Sequence, residues 1–254
     1  MWSRAAWAYR TSFVLLTVAT AVVTGLDIVA ILLIFAHTPR LADFTLPEVM
    51  FLYGTSSTAF YLADSILGTV DRLGGHVKAG TFDVMLLRPA RALVQVAADQ
   101  FTPRRLGKVA QAVTVLVVSL SLLDVPWTPS RALLVPLMVA AGAVIYGAIW
   151  VSGAAFQFVA TDASEALNAF TFGGNFLTQY PLVIYGREWL WALTWIVPLA
   201  FVNWQPALYV LGRPDPLGLP LAFRFVSPAV ALALAVVAAL AWRAGVRHYR
   251  STGS

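Results

Sequence analysis

Residues 132–158 read ALLVPLMVAAGAVIYGAIWVSGAAFQF, a run with no Asp, Glu, Lys or Arg. A helix rises about 1.5 Å per residue, so this run outspans the ~30 Å hydrocarbon core of a bilayer, inside which each backbone polar group must be satisfied within the segment. It reads as a transmembrane helix. Five further runs are apolar enough to read the same way, most of them with one charge: 13–36, 49–70 and 106–123 before it, 163–185 and 225–242 after it. The 254 residues are 59% hydrophobic and 11% charged, against about 25% charged in a soluble domain. Mean hydropathy is +0.77. The expectation is all-α: one polytopic membrane domain over 1–254 with six transmembrane helices.

A seventh apolar stretch, 189–211, contains Pro198 and Pro206 and is crowded by Trp189, Trp191, Trp195 and Trp204. Proline interrupts helices and tryptophan gathers at membrane interfaces, so a re-entrant outer segment is expected there. Lys and Arg concentrate in cytoplasmic loops. With both termini cytoplasmic, the inner segments hold Arg4, Arg10, Arg72, Lys78, Arg88, Arg91, Arg104, Arg105, Lys108, Arg243, Arg247 and Arg250. The outer ones keep Arg40, Arg131, Arg187, Arg213 and Arg224. The run 13–36 is longer than the ~7–15 residues of a signal-peptide core, so a retained first helix is expected. Trp2, Arg4, Trp7, Tyr9 and Arg10 make 1–12 an expected interfacial helix. This placement of the cations accounts for the pI near 9.8 without nucleic acid as a partner.

Catalytic patterns are missing. There is no G-x-x-x-x-G-K-[ST] loop around either lysine, Lys78 or Lys108, and His37, His76 and His248 lie apart without metal-ligand spacing. Cysteine is absent. Ser56, Ser57 and Ser152 sit in apolar runs, where small hydroxyl residues serve helix packing. Neither a catalytic residue nor a bound metal or cofactor is expected on this chain.

Two intramembrane acids stand out, because a carboxylate in hydrocarbon costs at least a few kcal/mol. Asp27 and Asp64 are read either as cavity-facing groups or as carboxylates satisfied by a neighbouring helix. Between the second and third runs, 71–105 forms a basic inner loop. Phe82, Met85 and Leu86 recur at helical spacing after Gly80 until Arg88-Pro89 intervenes, and Pro89 is expected to open a second short helix. In that helix Leu93, Val96 and Ala97 share one face and Arg91, Gln95 and Asp99 another. Such a pair suits docking to a cytoplasmic partner, or a membrane surface. In the other inner loop, Asp162-Ala163-Ser164-Glu165 has the spacing of a helix cap. Gly173-Gly174-Asn175 is a point of kinking or close approach, and Tyr180-Pro181 should end that helix.

With Gly80-Thr81-Phe82-Asp83-Val84-Met85-Leu86-Leu87-Arg88-Pro89 inside, then Tyr180-Pro181, Ile196-Val197-Pro198-Leu199-Ala200-Phe201 and Gln205-Pro206-Ala207, the chain resembles bacterial ABC-2 family transporter permeases. It is most similar to the branch in which two permeases are encoded beside one ATPase. The resemblance implies a type V ABC exporter-like fold in the bacterial inner membrane, a second permease, identical or homologous, and two copies of an ABC ATPase carrying ATP and magnesium. It also implies a cytoplasmic coupling helix between helices 2 and 3, with Gly80, Phe82, Asp83, Met85, Leu86, Leu87, Arg88 and Pro89 as coupling residues. Pro198 and Pro206 match the outer re-entrant element before helix 6. A hydrophobic or amphiphilic substrate would leave by alternating access. Asp27, Asp64 and Asn175 are candidate cavity residues, the two acids on physical grounds alone. The alternative is a proton- or cation-coupled secondary transporter using Asp27 and Asp64. An integral-membrane enzyme, which would need polar residues converging near an interface, is a further rival.

Overall fold

The computed structural model describes residues 10–99 and 104–249, so most of the interfacial helix expected at 1–12 lies outside the described residues. Apart from an isolated bridge between Leu41 and Phe44, regular structure among them is helical. In order the helices are α1 (Arg10–His37), α2 (Leu46–Leu67), α3 (Leu73–Lys78), α4 (Thr81–Leu86), α5 (Ala92–Ala97), α6 (Arg104–Leu122), α7 (Pro129–Gln157), α8 (Ser164–Thr178), α9 (Arg187–Trp195), α10 (Trp204–Val210) and α11 (Ser227–His248). Of the runs read from the sequence, 13–36, 49–70, 106–123, 132–158 and 225–242 correspond to α1, α2, α6, α7 and α11.

Among the described residues, three helices are long and apolar enough to cross a membrane: Arg105–Leu122, Pro129–Gln157 and Ser227–His248. Helix α2 has 22 residues, or about 33 Å, but Thr55-Ser56-Ser57-Thr58 interrupts its apolar surface. The packing explains the interruption. Residues 49–61 are all buried, held by α6 on one side and α7 and α8 on the other. Helix α7, with 29 residues, forms the spine and packs against α2, α8, α10 and α11. Pro136 lies inside it and deletes one backbone bond, which neighbouring helices tolerate in a bundle.

The run 163–185 departs from a continuous helix. Helix α8 has 15 residues, about 22 Å, and stops at Thr178 because Pro181 pushes Tyr180 out of the helical region. A 3-10 turn, Leu182–Tyr185, follows. At its start the expected Asp162 cap is displaced: Asp162 falls in the 3-10 turn Thr161–Ala163, Ala163 occupies the cap position, and Glu165 lies in the first helical turn. The stretch 189–211 is broken near Pro198 between α9 and α10. Pro206, expected to break the chain as well, is accommodated in the first turn of α10, where backbone N–H groups lack intrahelical partners anyway.

Lipid is as apolar as leucine, so helices in it associate through close packing and hydrogen bonds. The α2–α6 contact depends on Gly54, where an added Cβ would lie 2.7 Å from Leu116 Cα. Phe60 packs edge-on against Tyr146 at 5.2 Å between ring centres and anchors the α2–α7 side. Gly54→Val should therefore lower stability by about 1–3 kcal/mol through overpacking. Gly107→Ala, which meets nothing within 4 Å, should leave the chain as stable or slightly more so. Thermal unfolding in detergent, followed by tryptophan fluorescence, checks this; equal midpoints for the two variants would refute the close approach.

Candidate functional site

At one end of the bundle the short helices α3, α4 and α5 fold under α7 and α11 around a second apolar cluster that includes Leu73, Val77, Phe82, Met85, Val96 and Trp242. Its bonds come from side chains far apart in sequence. Thr69 Oγ1 donates to the carbonyls of Val96 and Ala97 at 2.9 and 2.8 Å. Gln157, fully buried at the end of α7, accepts from Gly74 N–H at 2.6 Å and donates to the Asp71 carbonyl at 2.9 Å. A Cβ on Gly74 would collide with the Thr161 carbonyl oxygen, so the close approach requires glycine. Gly80 has φ +66° and makes the left-handed turn from α3 into α4.

Within α4 the residues expected to couple divide by face. Phe82 is fully buried, 5.2 Å edge-on to Phe158 and 5.1 Å from the Tyr249 ring, and Met85 is buried beside it. Asp83 is half-buried and faces Tyr249, whose phenol is raised above its ordinary range by burial and then by that carboxylate. Leu86, Leu87, Arg88 and Pro89 are exposed, Leu87 to 87%. Pro89 does not open the second helix: α5 begins at Ala92 with Arg91 at its cap, and Pro89 belongs to the turn between. Gln95 Nε2 closes that turn by donating to the carbonyls of Met85 and Ala90, both at 2.8 Å. Beneath the segment, burial holds Asp71 above the usual carboxylate range against Arg72, Asn168 and Arg105. Sequence reading missed α3 and the Gln157 staple. Leu73 and Val77, one turn apart, were the available signal for α3, whereas nothing local marks Gln157.

The cavity candidates are not gathered at one point. Asp64, 9% exposed, is 3.6 Å from Arg105 Nε, and Arg105 Nη1 donates to the Asp64 carbonyl at 2.9 Å. Half-buried Asp27 on α1 lies near the Tyr53 hydroxyl. Asn175 is buried in a polar layer: Ser56 Oγ donates to its Oδ1 at 3.2 Å, while Ser56, Tyr146 and Thr178 join through contacts of 2.6, 2.7 and 3.2 Å. Asn203, just before α10, extends this layer by donating to the carbonyls of Leu52 and Thr178, both at 2.9 Å. An apolar cavity of about 290 Å³ lies between α2, α5, α7 and α11, walled by Ala63, Gly147, Ala148 and Ala238; none of the three candidates lines it. At the opposite end, Glu48 accepts from Arg213 Nη2 at 2.7 Å.

Among the described residues no group of His, Cys, Asp and Glu could hold a metal. Helix α4 is thus seated on the bundle by one face and presents an apolar and basic face outward. The family model described as "ABC-2 family transporter protein" matches residues 21–253. The chain belongs to the ABC-2 transporter family. It is a transmembrane permease, the transport component of its system and not itself catalytic, and ABC-2 membership implies association with an ABC ATPase. Comparison with curated proteins and with solved structures gave no match.

Gln157→Leu leaves Gly74 N–H and the Asp71 carbonyl unpaired, which should cost about 1–3 kcal/mol locally. Hydrogen exchange should accelerate over 70–99 and stay unchanged in the middle of α7. Unaltered exchange over 70–99 would remove Gln157 as the staple.

Proposed function

We propose that this ABC-2 permease is the membrane subunit of an exporter that moves a hydrophobic or amphiphilic substrate outward, with a separate ATPase seated on α4 and α5. The observation that carries the reading is the division of α4 into a buried face and a free face. Phe82 and Met85 fasten the helix to the ends of α7 and α11, while Leu86, Leu87 and Arg88 project from it. A force on the projecting face passes directly into two long helices. A helix docked loosely by polar contacts would turn in place.

In this proposal both termini and residues 71–105 are cytoplasmic, the host membrane is the bacterial inner membrane, and the assembly has two permeases, alike or different, with two ATPase copies holding ATP and magnesium. ATP shifts the inward–outward equilibrium only by its differential affinity for the two states. The short helices at 189–211, with Pro198 and Pro206, form the outer re-entrant element. Leu87→Asp and Arg88→Glu should each reduce co-purification of the ATPase at least tenfold while membrane insertion and the thermal midpoint stay unchanged, because neither side chain is buried. Full retention of the ATPase by both variants would refute the docking face.

A second reading, proton- or cation-coupled transport through Asp27 and Asp64, draws on Asp27, which pairs with no cation among the described residues. Asp64 already has Arg105. Asp27→Asn removes the charge at nearly constant volume. The exporter reading expects transport that still requires ATP hydrolysis; ATP-independent, pH-driven uptake by the purified chain in liposomes, abolished by Asp27→Asn, would establish the second reading instead.

A further inference from the structure

Three arginines meet at the end of the bundle opposite α3–α5. Arg131 stands in the first turn of α7, Arg213 follows α10, and Arg224 belongs to the 3-10 turn Leu221–Phe225 before α11. Together with Tyr209 and Leu221 they line an open pocket of about 500 Å³. Arg213 is already neutralised: its Nε and Nη2 donate to the Glu48 carboxylate at 2.9 and 2.7 Å, and Nη2 also to the Asp43 carbonyl at 2.7 Å. The other two are less fully met. Arg131 Nη1 donates to the Pro126 carbonyl at 2.9 Å, its Nη2 stands beside Gly212 on the pocket wall, and no carboxylate pairs with it among the described residues.

Arg224 is 5% exposed, and neither its Nε nor its Nη1 has an acceptor among the described residues. The carboxylate paired with it, Asp215, lies 4.0 Å from Nη2 and is already engaged by Gln205 Nε2 at 2.9 Å and Leu217 N–H at 2.7 Å. Burial lowers the Arg224 pKa, with Asp215 opposing. A buried guanidinium without matched acceptors is held at a cost, and since Nε and Nη1 are themselves closed to solvent, an anion relieves that cost only where the pocket lining opens to admit it.

We propose that this pocket binds a phosphate oxyanion, with Arg224 at its floor and Arg131 at its rim. A carboxylate's two oxygens satisfy one guanidinium fork, whereas a phosphate, with more oxygens and more charge, can accept from two guanidinium groups. The room beyond one ion, and the apolar shoulder of Leu208, Leu219 and Leu221, fit a phosphate carried on an amphiphile as readily as a free one. The site stands on the geometry of this chain and does not require the exporter reading.

The test uses the purified full-length chain at fixed ionic strength. One arm titrates inorganic phosphate against the thermal midpoint in a phosphate-free detergent. The other compares nanodiscs of phosphatidylglycerol with nanodiscs of a phosphate-free glycolipid. A saturable rise in midpoint is expected in at least one arm: with inorganic phosphate if the free ion suffices, or in phosphatidylglycerol alone if the headgroup is the source. Arg224→Gln and Arg131→Gln should each weaken the effect at least tenfold, and Arg187→Gln, exposed and away from the pocket, should not. If Arg224→Gln fails to fold, half-exposed Arg131 decides. A midpoint indifferent to phosphate in both arms, matched by chloride, or unchanged in its response by Arg131→Gln overturns the proposal and leaves ordered water as the partner of Arg224.

Discussion

A helix carrying four consecutive hydroxyl residues through the middle of a membrane domain is the constraint around which this bundle is built. Thr55, Ser56, Ser57 and Thr58 cannot face hydrocarbon without cost, and a single helix satisfies them only in part, as Thr55 does by donating back to the carbonyls of Phe51 and Leu52. Ser56 needs Tyr146 and Thr178, and Ser57 takes a bond from Gln179 Nε2 at 3.1 Å. Helix α2 must therefore be central, with α7 and the end of α8 against it. Asn203 then ties the region before α10 to the same layer through the Leu52 and Thr178 carbonyls. Buried polar bonds and glycine-mediated contact, more than apolar area, hold these helices, because burying one leucine against another gains little when lipid is the alternative.

From this centre the two ends of the bundle take different characters. The α3–α5 end is closed by rings: Phe158 stands between Phe82, Trp242 and Tyr249, so α4 joins the bundle through a rigid aromatic block. The other end is closed by ions, with Arg213 clamped to Glu48 and stacked 4.1 Å over the Phe44 ring. Its turn carries positive φ at both Ala42 and Asp43, residues that avoid that region unless held. The Leu41–Phe44 bridge and the bond from Arg213 to the Asp43 carbonyl hold them. Helix α7 spans both ends and packs against elements at each.

Much of this was legible because a bilayer imposes a one-dimensional rule. Long apolar runs announced α1, α2, α6, α7 and α11 to within a few residues, and Pro181 announced the end of α8. The short helix α4 was visible from Gly80, Phe82 and Met85, since a glycine followed by residues at helical spacing is local information. Three features were not legible, each for a physical reason. Pro206 looked like a breaker, but whether proline breaks a helix depends on its distance from the start, which propensity does not fix. The helix after Arg88 begins late because Gln95 bonds back to Met85 and Ala90, a tertiary choice. Gln157 reads as one polar residue at the end of an apolar run, and its role exists only where α3 returns beneath it.

Charge makes the same point at the candidate sites. Asp64 looked anomalous in apolar surroundings, and it and Glu48 are each answered by an arginine distant in sequence, Arg105 and Arg213. A buried ion pair gives little net stability against apolar residues of the same shape, but losing one partner strands the other, so such pairs fix which helices are neighbours. Arg105 brings α6 to α2, and Arg213 brings the segment after α10 to the start of α2. Paired charges of this kind are structure. What separates Asp27 and Arg224 from them is incomplete compensation: Asp27 has a phenol hydroxyl in place of a cation, and Arg224 has a carboxylate at 4.0 Å that other donors already occupy. In a low-dielectric bundle such a group remains uncompensated until something binds or a proton moves.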